Sequence, residues 1–177
     1  IPNKGHLNME KPVQIRFQDD SLKVLCSDLL AVAPHEGCAL LICDKEDISN
    51  PGSFKTIKIT FVWPCCNIWS EQANALMDFS RLRVNSFKKT FSRRNRFLID
   101  PCEQIYAQKW TRERNMQVIG SAHSHPQGSS IPSEIDLNMT YSDSLMVIVN
   151  GLLDIRAWWL TSDRRVPPQE LEYLSDK

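Results

Sequence analysis

The sequence has no surplus of either charge and no long apolar run. Its 177 residues include 21 Lys and Arg and 21 Asp and Glu, so the formal net charge is zero. A neutral chain has no global field that attracts nucleic acid or anionic lipid, although a local basic patch is not excluded. No apolar run approaches the roughly 18 residues that a membrane-spanning helix needs, and no charged-then-apolar leader is present. We therefore expect a soluble, cytoplasmic protein with no membrane partner.

The sequence also lacks a disulfide framework, internal repeats and low-complexity segments. None of the six cysteines forms a C-x-x-C pair, and five of them fall in apolar or helical stretches. Buried, reduced thiols are therefore favoured over disulfides. The length suits one domain, which we place at 9–177. Residues 1–8 precede Met9 without any periodicity, and we expect them to be an expression scar or a disordered tail.

Hydrophobic periodicity predicts strands that alternate with helices. A helix is expected to follow Asp19-Asp20-Ser21 and to end before Pro34, and a polar tail from Ser162 is either a loose final strand or a partner contact. The other predicted strands lie at 13–17, 37–43, 55–63, 96–99, 116–124, 144–149 and 154–160, and the other predicted helices at 69–82, at 101–115 and from Ser133 onward. This order predicts a single α+β domain, with a mixed sheet flanked by helices and an insertion at about 64–94.

The segment from Ser121 to Asp136 carries the strongest chemical signal. His123 and His125 are two residues apart on a predicted strand, so both imidazoles point to one face. Ser133 is placed to cap the following helix, and Asp136 lies in its first turn, from which it can face the histidines. Two imidazoles and a carboxylate are donors that zinc accepts, and three protein ligands leave a fourth position for water. The pattern therefore predicts a catalytic metal site at His123, His125 and Asp136.

A catalytic metal site also needs a base, and Glu36 is the candidate. This residue stands at the start of a predicted buried strand, where a carboxylate can be held at the edge of the core. A carboxylate close to a zinc-bound water can accept its proton and later pass it to a departing amine. The alternative is that Glu36 is a solvated residue at the end of a helix. The residues alone leave both interpretations open.

The motif His123-Ser-His-Pro126, followed by Ser133 and Asp136, resembles the signature of the JAMM (MPN+) metallopeptidases. Within this family the chain is similar to the short prokaryotic branch that is associated with ubiquitin-like sulfur-carrier proteins. The resemblance extends over about 10–62 and 94–160. It includes three further segments, which are EGCALL from Glu36, NRFLIDP from Asn95 and QVIGSAH from Gln117.

This resemblance implies a fold, an activity and residue roles. The fold would be a single MPN-type domain with a curved mixed sheet between helices. His123, His125 and Asp136 would bind one zinc ion, Glu36 would act as general base and then as general acid, and Ser133 would support the water or the tetrahedral oxyanion. The reaction would be hydrolysis of a peptide or isopeptide bond at the C-terminus of a ubiquitin-like or sulfur-carrier protein. All five residues are present.

The chain departs from the family pattern in two places. Ala39 stands where a glycine is usual, which removes no reactive group. The segment at about 64–94 is longer than expected for the short prokaryotic form, and it contains Trp69, Arg93 and Arg94. We predict that this insertion grips the substrate protein near its C-terminus. The alternative is a solvated loop with a small hydrophobic patch of its own.

Two other functions are compatible with parts of the sequence. One is a non-catalytic MPN module that binds zinc and recruits partners, but such a site would need no base and would close its fourth position with another Cys or His. The other is a nucleic-acid-associated protein like RadC. The neutral charge and the lack of an appended helix-hairpin-type domain disfavour it, whereas the basic segment at 81–96 keeps it open. The sequence does not reveal the substrate's leaving group or the oligomeric state.

Overall fold

The structure is a computed structural model that describes residues 11–49, 55–72 and 91–174. Eight strands and four helices have defined bounds in these residues. In chain order they are β1 (Gln14–Phe17), α1 (Ser21–Ala31), β2 (Cys38–Asp44), α2 (Glu46–Ser49), β3 (Thr56–Ile59), β4 (Phe61–Cys65), α3 (Pro101–Arg112), β5 (Met116–His125), α4 (Glu134–Asn138), β6 (Ser144–Asn150), β7 (Ile155–Leu160) and β8 (Gln169–Leu174). None of the helices in these residues is long and apolar enough to cross a membrane.

The eight strands form one mixed sheet in the order β3-β1-β8-β7-β6-β5-β2-β4. Three neighbouring pairs are parallel, namely β1 with β3, β1 with β8 and β5 with β6. The remaining pairs are antiparallel. The parallel pairing of β5 with β6 requires a crossover connection, and the segment from Pro126 to Asp143, which includes α4, provides it.

The sheet curls until its two edges approach each other. The strands β3 and β4 occupy opposite ends of the strand order, yet only Thr60 separates them in the chain. The backbone N–H of Thr60 donates to the carbonyl oxygen of Ile42 in β2 at 2.9 Å, so the chain passes from one edge to the other beside β2. The result is a nearly closed, curved sheet.

Helices cover both faces of this sheet. The largest core cluster lies on the face covered by α1, where Leu25 and Leu29 pack with Leu41 of β2 and Ala122 of β5. On the opposite face, Cys38 and Leu40 pack with Ala107 of α3. Alternate residues of β2 therefore face opposite layers, as the two-residue period of a strand requires. The predicted α+β class and curved mixed sheet are confirmed.

Two predicted strands differ from the structure. The expected strand at 55–63 is divided into β3 and β4, which pair with different neighbours. The expected strand at 96–99 was wrong, because its only ladder contact is an isolated bridge between Asn67 and Ile99. The backbone there bonds to the Asn67 side chain, and the carbonyl oxygen of Leu98 accepts from the backbone N–H of Ile68. Residues 1–8 and most of the helix expected at 69–82 lie outside the described residues.

The cysteines are reduced, as expected, but most of them are not buried. All six are free thiols. Only Cys38 and Cys43 are buried, whereas Cys66 and Cys102 are exposed. Burial raises the pKa of the Cys38 thiol far above its ordinary value and that of Cys43 to about 12, so neither thiol ionises at neutral pH.

Candidate metal centre

Strand β5 brings the two histidines to one face of the sheet. Its residue Ala122 belongs to the core beneath α1, so the alternation along the strand turns His123 and His125 to the other face. His123 is fully buried and His125 is partly buried. The shared face predicted from their spacing is therefore present.

Helix α4 brings the carboxylate of Asp136 to the same place. Ser133 caps this short helix, and its hydroxyl accepts a hydrogen bond from the backbone N–H of Asp136 at 3.3 Å. In return, the carboxylate of Asp136 accepts a hydrogen bond from the backbone N–H of Ser133 at 2.7 Å. This reciprocal capping box fixes the Asp136 side chain at the start of the helix. One carboxylate oxygen is thereby held beside the imidazoles.

Three candidate ligand atoms converge at this point. The Nε2 atoms of His123 and His125 are 3.0 Å apart. The Oδ2 atom of Asp136 lies 3.5 Å from the first Nε2 and 3.6 Å from the second. A zinc ion with ligand distances of about 2.0–2.1 Å separates tetrahedral ligands by about 3.3–3.4 Å. The spacing and the chemistry of the donors therefore fit one zinc ion.

The environment of each imidazole favours Nε2 as the ligand atom. Nδ1 of His125 lies 2.7 Å from the carbonyl oxygen of Ser129, a contact that requires Nδ1 to donate a proton. The Nε2 lone pair of neutral His125 is then free to bind a metal. The ring of His123 stacks on Phe97 with centroids 4.4 Å apart, and its buried Nδ1 has no hydrogen-bond partner in the described part of the chain. Both rings are held so that Nε2 points into the site.

Glu36 lies beside the histidines, two residues before the neighbouring strand β2 begins. Cys38 of β2 pairs directly with His123, and Glu36 precedes it by two residues, so its side chain lies on the same face. Its Oε1 atom is 3.9 Å from Nε2 of His125, and the residue is only 5% exposed. The alternative of a solvated carboxylate is therefore wrong for Glu36.

Two residues from the segment between β4 and α3 hold the backbone of Glu36. Its N–H donates to the carbonyl oxygen of Arg93 at 2.7 Å, and its carbonyl oxygen accepts from Nδ2 of Asn67 at 2.9 Å. The Asn67 amide makes three further hydrogen bonds. These go from Nδ2 to the carbonyl of Arg96, and to Oδ1 from the backbone N–H groups of Trp69 and Leu98. The amide of Asn67 is thus fully used in ordering the chain around Glu36.

The pKa values of the two carboxyl groups in the site are shifted in opposite directions. Burial raises the pKa of the Glu36 carboxyl, and Asp136 adds to this effect, although the two histidines and Arg96 oppose it. Burial would also raise the pKa of Asp136, but the histidines and the contact with Ser133 outweigh it and hold this pKa well below its usual range. Asp136 therefore stays anionic, whereas Glu36 accepts a proton more readily than an ordinary glutamate.

The histidine that borders the groove also has a shifted pKa. Burial would lower the pKa of His125, but Asp136, the carbonyl of Ser129 and Glu36 raise it above its ordinary value. These contacts favour a proton on His125 when no metal is bound. A metal ion at Nε2 would have to displace that proton.

An open groove leads to the site along the loop from Pro126 to Ser133. Glu36, His125 and Ser133 line it, together with Arg94 and Arg96. Two hydrogen bonds at Ser130 hold this loop in place. The Ser130 hydroxyl donates to the carbonyl oxygen of Asp154, and Nε1 of Trp158 donates to the carbonyl oxygen of Ser130. The candidate centre is consequently open to solvent along this loop.

Of the three residues predicted to bind substrate, one lines this groove. Arg94 is exposed and lines the groove. Arg93 is also exposed, but its Nε donates to the carbonyl oxygen of Trp69, and the Trp69 side chain is itself buried. A substrate-binding role for these three residues stays a prediction.

Sequence reasoning missed several residues that shape the site. Asn67 and Arg96 flank Glu36, Ser124 lies between the histidines, and Trp158 supports the loop. Arg96 belongs to the NRFLIDP segment of the family resemblance, so it could have been proposed as a cation close to Glu36 and Asp136. The partners of the other three residues are distant in sequence, so no local signal identifies them.

Comparisons with known proteins agree with the fold. Residues 19–161 match the family model for prokaryotic homologs of the JAB domain. A Desulfitobacterium hafniense protein solved in solution is 18% identical, with a TM-score of 0.66 and coverage of 93% of this chain and 94% of that one. A Salinibacter ruber protein, also solved in solution, is 19% identical, with a TM-score of 0.55 and coverage of 92% of both chains. These two likenesses show a shared fold.

A JAB1/MPN domain protein from Archaeoglobus fulgidus overlays more loosely, with 18% identity, a TM-score of 0.45 and coverage of 92% of this chain and 98% of that one. No curated protein matches the chain.

Proposed function

We propose that this chain, which belongs to the family of prokaryotic homologs of the JAB domain, is a zinc-dependent metallopeptidase or isopeptidase. Its substrate bond would be a peptide or isopeptide bond at the C-terminus of a ubiquitin-like or sulfur-carrier protein. The observation that carries the proposal is the convergence of His123, His125 and Asp136 with the Glu36 carboxylate beside them. A site with three metal donors, a neighbouring base and an open groove fits hydrolysis better than structural metal binding.

One zinc ion would be held by Nε2 of His123, Nε2 of His125 and Oδ2 of Asp136. When bound, the ion supplies Lewis acidity and lowers the pKa of a coordinated water to about 7. Glu36 is positioned to take a proton through Oε1, since burial raises the pKa of this carboxyl. The same oxygen can return the proton to the departing amine.

Ser133 has a separate role in this proposal. Its hydroxyl oxygen already accepts from the backbone N–H of Asp136, which leaves the hydroxyl hydrogen to donate into the groove. A donor at this place stabilises an oxygen that gains negative charge during hydrolysis. Ser133 is thus both the cap of α4 and a candidate oxyanion donor.

The substrate protein would place its C-terminal tail in the groove beside Glu36. We propose that the insertion at about 64–94 contributes to tail binding through Arg94 at the rim, with Arg93 and Trp69 forming the base of the insertion. A non-catalytic recruitment module has less support, because it would not need a buried carboxylate 3.9 Å from a ligand atom. The location of the protein in the cytoplasm remains an expectation.

Replacement of Glu36 by Gln tests the proposal. The variant keeps the size of the side chain and loses the base, so cleavage should fall about 10²–10⁴-fold while zinc content stays at one ion per chain. Zinc is measured by elemental analysis, and cleavage by mass spectrometry of carrier proteins extended beyond a terminal Gly-Gly. Glu113→Gln is the matched control, since Glu113 is an exposed residue after α3. Full activity in Glu36→Gln would show that Glu36 is not the base.

A further inference from the structure

Arg96 stands at the border of two grooves that adjoin the metal centre. The first groove contains Glu36, His125 and Ser133. The second contains Asp136, with apolar residues of α4 and β6 further along. Arg96 lines both grooves, and the backbone carbonyl of this residue is held by Asn67. A substrate that crosses the centre from one groove to the other must therefore pass the Arg96 side chain.

The side chain of Arg96 is held in place without a carboxylate partner. The guanidinium lies 4.3 Å from the centroid of the Phe91 ring and donates from Nη1 to the carbonyl oxygen of Asn95. Glu36 and Asp136 are near enough to favour its charged form, but within the described ranges neither these nor other carboxylates form an ion pair with it. Burial lowers the pKa of Arg96, yet an arginine stays charged at neutral pH.

Such a cation is a ready partner for an anionic group of the substrate. A guanidinium offers several donors in one plane, and it binds carboxylates in a paired geometry. A half-buried charge is costly unless it is paired, and Asp136 is already occupied by the histidines and Ser133. A substrate carboxylate at this position would satisfy Arg96 without disturbing the metal donors.

We propose that Arg96 binds a carboxylate of the substrate next to the scissile bond and thereby selects substrates. This inference rests on the proposed hydrolase function. The carboxylate has two possible sources, the α-carboxylate of a single released residue or an acidic side chain of that residue. The backbone geometry makes the first source compatible, since an α-carboxylate carbon lies only about 2.5 Å from the nitrogen of the bond that is cut.

Three synthetic peptides distinguish the sources. They share a carrier-type tail that ends in Gly-Gly, and they continue with alanine as the free acid, alanine amide or aspartic acid α-amide. We expect zinc-loaded protein to cleave at least one of the two anionic peptides about ten- to a hundredfold better in kcat/KM than alanine amide. The free acid identifies the α-carboxylate as the ligand, and the aspartyl peptide identifies a side chain.

The Arg96→Gln variant should lose this preference, chiefly through KM, and Arg96→Lys should restore part of it. Arg112→Gln is the matched control, because Arg112 is an exposed arginine at the end of α3. Zinc content and thermal unfolding should stay unchanged in all three variants. Equal cleavage of all peptides by the unaltered protein would overturn the inference, as would an unchanged preference in Arg96→Gln.

A binding measurement separates this inference from the proposed activity. Calorimetry with metal-free protein would measure the affinity for the two anionic peptides and for alanine amide. We expect the unaltered protein, but not Arg96→Gln, to bind anionic peptide more tightly than alanine amide, and we call this difference in affinity the anionic advantage. If no peptide is cleaved but this advantage is present, the proposed hydrolysis fails while the role of Arg96 stands. If cleavage occurs without any anionic advantage in binding or kinetics, the role of Arg96 fails alone.

Discussion

Ser124 lies between the two histidines and turns to the opposite face of β5. It is fully buried, and its hydroxyl donates to the carbonyl oxygen of Leu29 at 3.1 Å and accepts from the backbone N–H of Gly37 at 2.8 Å. The first contact satisfies a carbonyl in the last turn of α1, where no intrahelical donor is available. A single hydroxyl thus joins α1, the residue after Glu36 and the histidine strand.

Replacement of Ser124 by Ala should destabilise the protein by about 1–3 kcal/mol, because it leaves a buried N–H and a buried carbonyl without this partner. Urea unfolding followed by circular dichroism would measure the change. The exposed Ser142→Ala serves as the control and should change the free energy of unfolding by less than about 0.5 kcal/mol. Equal effects of the two replacements would contradict the role given to Ser124.

The site residues differ in how well the sequence predicts their place in the site. His123, His125, Ser133 and Asp136 lie within one short segment, so strand period and helix capping predict their arrangement. Glu36 could be proposed only from the family resemblance and its place before an apolar run. The role of Ser124 is invisible in the sequence because its partners are 95 and 87 residues away.

The pairing of β5 with β6 depends on a glycine. A Cβ atom on Gly120 would lie 1.8 Å from the carbonyl oxygen of Leu145, which is a backbone atom of the neighbouring strand. A backbone atom cannot move away without breaking the parallel ladder. Gly120 therefore permits the close approach of the strand that carries both histidines.

We expect Gly120→Ala to destabilise the protein by about 1–3 kcal/mol or more through overpacking. At Gly128, the added Cβ would meet the His125 Cβ at 3.3 Å, so Gly128→Ala is a milder control. Chemical denaturation of both variants gives the comparison. A Gly120→Ala protein as stable as the unaltered one would show that the two strands can separate at this point.

The elements were predicted best where one pattern continues without interruption. The apolar run at 37–43 and the hairpin at 144–160 correspond to observed strands. The alternation at 55–63 continues through Thr60, and alternation carries no information on which neighbour a strand pairs with. The segment at 96–99 bonds largely to the side-chain amide of Asn67 and forms only an isolated bridge. Local propensity does not indicate such a partner.

At the scale of the whole molecule, the three candidate metal ligands come from two parts of the fold. His123 and His125 come from the central sheet, whereas Asp136 comes from the crossover helix between β5 and β6. An ion bound by all three would link these parts only in the folded protein. Metal binding should therefore stabilise the native state.

We expect zinc at about 100 times its dissociation constant to stabilise the protein by about 2.7 kcal/mol, which raises the unfolding midpoint by about 5–10 °C. Differential scanning calorimetry of metal-free and zinc-loaded protein would measure the shift. Asp136→Asn should lose most of it, because an amide is a poorer zinc ligand than a carboxylate. If zinc raises the unfolding midpoint of Asp136→Asn as much as that of the unaltered protein, zinc binds elsewhere.

The mixed sheet and its class were predicted, but its closure was not. The order of strands and helices indicates a single α+β domain. Closure depends on which strands form the two edges, and β3 and β4 take these positions although they are nearly contiguous in the chain. This arrangement is a property of long-range pairing, so no local pattern reports it.

The anchoring of Glu36 by Asn67 and Arg93 has an evolutionary consequence. These two residues stand on either side of the insertion's middle part, and both bond to the backbone of Glu36. Because both contacts come from described residues that flank this stretch, changes in its length or composition need not displace Glu36. New partners could be acquired by exchanging this stretch while the candidate site is kept intact.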